Sequence, residues 1–208
     1  MEDGYILLDN GTKITIPDTM LELTPDWLDK KLEEVGAPRK SGGRDLIREV
    51  ALPWKLKLLW HHVFDICHNL ERVIIPEDSS LLFIGACAFM ECKRLEEFDF
   101  EKLYELVYIG DSAFMLSGLR EVTIPDRKML IGEDVFSGCK KLLQVTFDRP
   151  EIPANCFESC YSLRIVEGSA EKVGFHAFNG CTSLKYVTLP ELQFVGSYNV
   201  PLKKLIGK

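Results

Sequence analysis

Seven cysteines and four histidines are the groups in this 208-residue chain best able to attack a carbonyl, move a proton or hold a metal. Three places among them could do chemistry. His61, His62, Cys67 and His68, in "HHVFDICH", have the residue types of a zinc site, or of a cysteine hydrolase in which an imidazole takes the thiol proton. Cys139, in "EDVFSGCKK", lies between an acidic pair and two lysines, a setting that can shift a thiol. Cys156 and Cys160, in "CFESC", stand four residues apart and could share one side of a turn. A catalytic thiolate is singular, because the fold must bring a base to it and lower its pKa. A packing cysteine recurs.

These cysteines recur. "LWHHVFDICHNL" from Leu59, "IGACAFMECKRL" from Ile84, "IGDSAFMLSGL" from Ile109, "IGEDVFSGCKKL" from Ile131, "IPANCFESCYSL" from Ile152 and "VGFHAFNGCTSL" from Val173 align with one another. Their phenylalanines, Phe64, Phe89, Phe114, Phe136, Phe157 and Phe178, are 25, 25, 22, 21 and 21 residues apart, and Val200 takes the next such position. Three residues after each Phe comes Cys67, Cys92, Ser117, Cys139, Cys160 or Cys181. Cys156 replaces the small Ala88, Ala113 and Ala177 of other units and reads as a small buried hydrophobe. Cys67 is itself the repeat cysteine, and His61 and His62 fall at variable positions. Packing is therefore the first reading of this cluster, and a hydrolase using Cys67 with a nearby histidine is the enzymatic alternative. No Ser-His-Asp order, Gly-rich phosphate loop or paired-carboxylate signature is present. No catalytic, metal or cofactor residue is assigned, and no cofactor is expected.

The element that positions these residues is the repeat itself. Each unit continues into L-x-x-V-x-I-P: "LERVIIP" from Leu70, "LEEFDF" from Leu95, "LREVTIP" from Leu119, "LLQVTF" from Leu142, "LRIVEG" from Leu163 and "LKYVTLP" from Leu184. Alternation ending in proline predicts a short strand with one buried face. The Phe, Cys and Leu at steps of three predict a helical or 3-10 turn. One strand and one turn per unit cannot bury an apolar side alone, so units must stack as a solenoid with like residues on like.

The pattern I-G-x-x-A-F-x-x-C-x-x-L-x-x-V-x-I-P, carried from about Leu46 to Val200, resembles the BspA-like branch of the leucine-rich repeats. The resemblance implies an α/β-type leucine-rich repeat solenoid, right-handed, with short parallel strands on one side and short helices or turns on the other. It also implies use in binding other macromolecules, and export or surface display in many relatives. Some units depart from the pattern. Trp60 and Pro153 stand where others have Gly85, Gly110, Gly132, Gly174 and Gly196, so that position does not require a positive φ. The third unit is irregular, and "EKLYELVY" predicts a bulged loop.

Residues 1–45 do not repeat and are expected to form an N-terminal cap and linker, ahead of a solenoid of six to seven repeats over 46–208. "KITIP" predicts a strand. Thr24 as N-cap, Pro25 at the first helical position, Leu28, Leu32 and Val35 on one stripe and Gly36 as the stop predict a helix. "GAPRKSGGRD" reads as a mobile connection, and "VPLKKLIGK" stops in mid-repeat, so that either Lys203 and Lys204 protect the last edge or the natural chain continues.

Net charge −7 with scattered lysine and arginine argues against nucleic acid as a partner. No apolar run approaches the roughly 18 residues of a membrane span. The acidic start "MEDGYILLDNGTK" has no signal-peptide pattern. An odd number of cysteines, mostly in one periodic position, favours a reducing compartment, hence the cytoplasm; an exported or surface setting is the alternative. The residues flanking each repeat valine should point outward from the strands as one continuous face. They are Arg72 and Ile74, Glu97 and Asp99, Glu121 and Thr123, Gln144 and Thr146, Ile165 and Glu167, and Tyr186 and Thr188. With an acidic cluster in the middle, this face is expected to bind a protein bearing a basic patch. An intracellular adaptor and a fragment of an adhesion protein are the two forms of that reading.

Overall fold

In the computed structural model, residues 13–34, 36–37, 41–199 and 201–202 are described. The chain winds as a parallel solenoid with three faces per coil. On the first face the L-x-x-V-x-I segments form two parallel ladders. Lys13–Thr15, Glu49–Ala51 and Arg72–Ile74 make one, and Glu121–Ile124, Gln144–Phe147, Ile165–Gly168 and Tyr186–Thr188 make the other. The register is set by the repeat, so Val122, Val145, Val166 and Val187 lie side by side. The inward residues Ile124, Val145 and Phe147 are fully buried, as alternation demands.

The second face carries parallel strands of two residues each, which two-residue stretches with no measurable period do not announce. Glu22–Leu23, Leu58–Leu59, Phe83–Ile84, Tyr108–Ile109 and Leu130–Ile131 form one ladder, and Glu151–Ile152, Lys172–Val173 and Phe194–Val195 another. The glycine that follows five of these strands, Gly85, Gly110, Gly132, Gly174 and Gly196, is required by the neighbouring coil. A Cβ on Gly85 would lie 2.5 Å from the backbone nitrogen of His61, and no left-handed φ is involved.

The third face is made of turns, not helices. Coil joins coil through bonds such as Phe89 N–H to Ala113 C=O at 2.7 Å and Phe157 N–H to Ala177 C=O at 2.9 Å. Two left-handed residues recur in each turn, for example Cys87 and Glu91, Ser112 and Leu116, and Asn155 and Ser159. Behind the turns, Phe64, Phe89, Phe114, Phe136, Phe157 and Phe178 stack in one buried column with successive centroids 5.1–5.7 Å apart.

The N-terminal segment joins this architecture directly. Lys13–Thr15 extends the first face and Glu22–Leu23 the second. The helix Pro25–Glu34 starts with Thr24 accepting from Trp27 N–H at 3.2 Å, and buries Leu28 and Leu32; Val35 lies outside the described residues. Ser41–Arg44 is a helical turn, which corrects the expectation of a mobile connection there. Arg44 is the reason. Its guanidinium pairs with Asp29 at 2.9 Å and donates to the carbonyls of His62, Val63 and Asp65 at 2.8–3.2 Å. Val200, Lys203 and Lys204 lie outside the described residues. The last described turn is closed by buried Asn199, whose Oδ1 accepts from Phe178 N–H at 2.8 Å.

Each ladder has one break, and each break has a residue behind it. "LEEFDF" was expected to be a strand but is not one. Its inward positions are Phe98, where every other unit has Val, and Phe100, which matches Phe147 of an intact strand, and the two rings pack against Phe114 at 4.8 and 5.3 Å. The backbone leaves the ladder and closes a 3-10 turn over Phe100–Lys102, with Asp99 accepting from Glu101 N–H at 3.1 Å. The first face is therefore not continuous. On the second face, Gly110, Gly132, Gly174 and Gly196 each donate N–H to the preceding coil at 2.8 Å, whereas Pro153 has no N–H to give. The ladder stops there, and Arg149 covers the carbonyl of Met129 at 3.0 Å.

Candidate protein-interaction site

The break in the first face opens a groove of about 940 Å³ lined from four coils, by Glu71 to Ile75, by Arg94 and Glu96 to Lys102, by Glu121 and Thr123, and by Lys141. Six of the twelve predicted face residues line it: Arg72, Ile74, Glu97, Asp99, Glu121 and Thr123. Gln144, Thr146, Ile165, Glu167, Tyr186 and Thr188 lie on the intact ladder beyond, at least partly exposed, with Tyr186 open at 66%. The break thus divides the predicted face into a groove and a flat sheet.

Charge in the groove is unevenly compensated. Glu71 pairs with Arg48 and Arg94, and Glu96 with Arg120 at 2.8 Å and Lys141 at 2.9 Å. The hydrogen bond from Arg120, with that from Lys141, holds the Glu96 carboxyl down to about 2. Arg72 pairs with Glu49, and Lys102 with Glu77. Glu97, Asp99 and Glu121 have no ion pair among the described residues. The cations around the rim are engaged, and the carboxylates at the centre are not. Backbone groups add to this: no described backbone hydrogen bond joins Val73 or Ile75 to the Glu97–Asp99 segment.

The thiols present a different picture. Cys67, Cys92, Cys139, Cys156, Cys160 and Cys181 are free and fully buried. Desolvation pushes all of them up, Cys139 to about 11 and Cys67 further. Each repeat thiol from Cys92 onward donates to the carbonyl of the preceding coil's phenylalanine: Cys92 to Phe64, Cys139 to Phe114, Cys160 to Phe136 and Cys181 to Phe157, at 3.1–3.3 Å. That is a role spacing alone did not reveal. The histidines near Cys67 face carboxylates instead, His62 with Asp65 and His68 with Asp45, both at 2.9 Å. His61 Nδ1 accepts from Ala86 N–H at 2.8 Å. Cys67 is fully buried with no imidazole bonded to its thiol among the described residues, where no metal-binding group of His, Cys, Asp or Glu occurs either. No described helix is long and apolar enough to cross a membrane.

The sequence profile of the BspA type leucine rich repeat region matches in six copies over residues 44–164 and 150–200. No curated protein sequence is significantly similar. Among solved structures, a leucine-rich repeat protein of T. pallidum (TpLRR) is 24% identical over 85% of this chain and 79% of its own, with a TM-score of 0.68. A leucine-rich repeat protein of Eubacterium ventriosum is 16% identical over 74% of this chain and 58% of its own, with a TM-score of 0.53. The repeats, the solenoid and these likenesses agree: the chain belongs to the BspA-type leucine-rich repeat family.

Proposed function

We propose that this protein is a non-enzymatic binding module whose first face holds a protein partner through a basic segment seated in the groove at Glu97, Asp99 and Glu121. The observation that carries this reading is the uncompensated charge of those three carboxylates in a groove whose rim cations are already paired. A basic segment entering there gains charge-assisted hydrogen bonds without breaking existing ion pairs. Ile74 at 42% exposure and, on the sheet beyond, Ile165 and Tyr186 supply the apolar and aromatic contact that anchors interfaces. Phosphate backbones are disfavoured by the same charge, which makes protein the partner class rather than nucleic acid.

The cytoplasm remains the proposed compartment. Thiol burial weakens the cysteine argument for it, since buried thiols persist unoxidised in either setting; fractionation of cells producing the full-length protein tests it. The binding reading is tested by capturing the partner from the source cell and comparing the parent with a variant carrying Glu97→Lys, Asp99→Lys and Glu121→Lys. The folded triple variant should lose most of its affinity in dilute buffer and less of it at high salt, where the attraction is already screened. Equal binding by both proteins in dilute buffer would reject the groove.

A further inference from the structure

The groove on the first face is bordered by backbone as well as by carboxylates. In a parallel ladder a strand bonds one neighbour through alternate residues and the other neighbour through the residues between. Arg72 and Ile74 face the coil before them: Arg72 N–H donates to Arg48 C=O at 3.1 Å, and Ile74 C=O accepts from Leu52 N–H at 3.0 Å. The N–H and C=O of Val73 and the N–H of Ile75 therefore turn toward the break, where no described hydrogen bond meets them. The unit beyond is tied to its other side instead, through Arg120 N–H to Glu96 C=O at 3.0 Å. The last strand of the first ladder is thus an open edge facing a groove, a template onto which another chain can pair. Its side chains are uncovered at the same place. Val73 points inward yet is only half-buried, whereas its counterparts Val122, Val145 and Val166 are exposed by 0–2%.

We propose that the partner's segment enters this groove extended, as an added strand along Arg72–Ile74, with basic and apolar residues alternating. The proposal rests on the groove being the binding site, and adds the conformation and the residue pattern of what enters it. Successive side chains of a strand point to opposite faces. On the added strand one set turns inward over Val73 and toward Phe98 and Phe100, and the other turns outward beside Glu97 and Asp99, all of which line the groove. Glu97 and Asp99 are two residues apart, at most about 7 Å along the chain, which is the spacing of alternate side chains on a strand. Glu121, at the position equivalent to Glu97 one coil further, adds to the attraction. Basic residues at every second position therefore meet carboxylates, whereas contiguous ones would set a charge over Val73. Backbone pairing gives affinity and alternate side chains give choice of sequence, as in other cases of strand addition.

The probe is a labelled synthetic peptide in which arginine and valine alternate, compared by fluorescence polarisation in dilute buffer with one of the same composition whose arginines are contiguous. The alternating peptide should bind the parent at least about tenfold more tightly, the value of one hydrogen bond to a charged group. It should lose most of its affinity for the variant carrying Glu97→Lys, Asp99→Lys and Glu121→Lys. Backbone pairing is read separately, because N-methylation of every second peptide amide removes the donors of one edge only. Methylating one set should abolish binding, and methylating the alternate set should not. Exchange of the Val73 amide hydrogen, followed by NMR, should slow when the alternating peptide binds. Equal binding of the two orders, equal effects of the two methylated sets, or binding without slower exchange at Val73 overturns the added strand. If the triple variant still loses binding in those cases, the groove reading stands without it. Failure of a folded parent to bind either peptide in dilute buffer overturns the groove as a site for basic segments, and this inference with it.

Discussion

Replacing Cys139 separates the two roles a buried thiol can have. Its S–H donates to Phe114 C=O at 3.3 Å and lies 3.2 Å from Ser117 Oγ, with no exposed surface. In Cys139→Ser the buried hydroxyl costs about 1–3 kcal/mol, and a bond to the same carbonyl returns about 0.5–1.5 kcal/mol. The net loss is about 1 kcal/mol. Cys139→Ala forfeits the bond and a sulfur-sized volume, about 1–2 kcal/mol by transfer and cavity terms. The carbonyl is not orphaned in either case, because Ser117 N–H also reaches it at 3.1 Å. Ser should therefore be no worse than Ala in urea unfolding followed by circular dichroism and fitted with a common slope, a precaution that repeat proteins need. Ser117, which occupies the equivalent position one coil earlier, is the natural precedent. A loss above about 3 kcal/mol for Ser, the full penalty of an unpaired buried hydroxyl, together with a small loss for Ala, would refute the hydrogen-bonding role and leave the position as an apolar filler. Thiol labelling gives an independent check. A pKa near 11 instead of the ordinary 9.0 reduces the thiolate fraction at neutral pH about a hundredfold, so rapid labelling of native Cys139 would contradict the burial itself.

Arg44→Ala should cost about 2–3 kcal/mol, the value of a charged donor serving buried carbonyls, with little from its ion pair because Asp29 is 52% exposed; Arg44→Lys should not rescue it in thermal melts, since an ammonium lacks the planar fork. Gly168 sits at φ +140°, and a Cβ there would meet Phe147 O at 2.2 Å, so Gly168→Ala should cost about 3 kcal/mol or more through strain and parted strands. Glu96 titrates near 2 against an ordinary 4.5, so its favourable contribution is complete above about 4.5 and fades as the pH falls toward 2. NMR titration of its carboxyl should show that midpoint, and Arg120→Ala should move it upward.

The strands on the first face, the phenylalanine column and the cysteine positions were readable from the sequence because each repeats with one register, and stacking turns repetition into contact. The breaks were harder to read. Phe98 and Phe100 satisfy the same apolar-polar alternation as the other units, and Phe147 sits in an intact strand at the position of Phe100, so the ring that sets this unit apart is Phe98, where the others have Val. Pro153 was visible as a departure, but its consequence, a missing donor, appears only once the glycine N–H at that position is known to bond the preceding coil. The second ladder has two-residue strands, too short for periodicity to show. Arg44 lies in a Gly- and Ser-rich stretch whose composition suggests a linker, and its partners are 15 to 21 residues away. Glu97, Asp99 and Glu121 were legible as an acidic cluster, whereas their lack of cations required the geometry of Arg120, Lys141 and Lys102.

The claim that the first-face groove holds the partner is tested most directly by a photo-crosslinking amino acid placed in turn at Thr123, on the groove wall, and at Lys140, an exposed residue on the turn side. With the captured partner, the account predicts efficient crosslinking from Thr123 to a basic segment of that partner, and none from Lys140. Crosslinks from Lys140 with none from Thr123 would place the partner on the turns and contradict it.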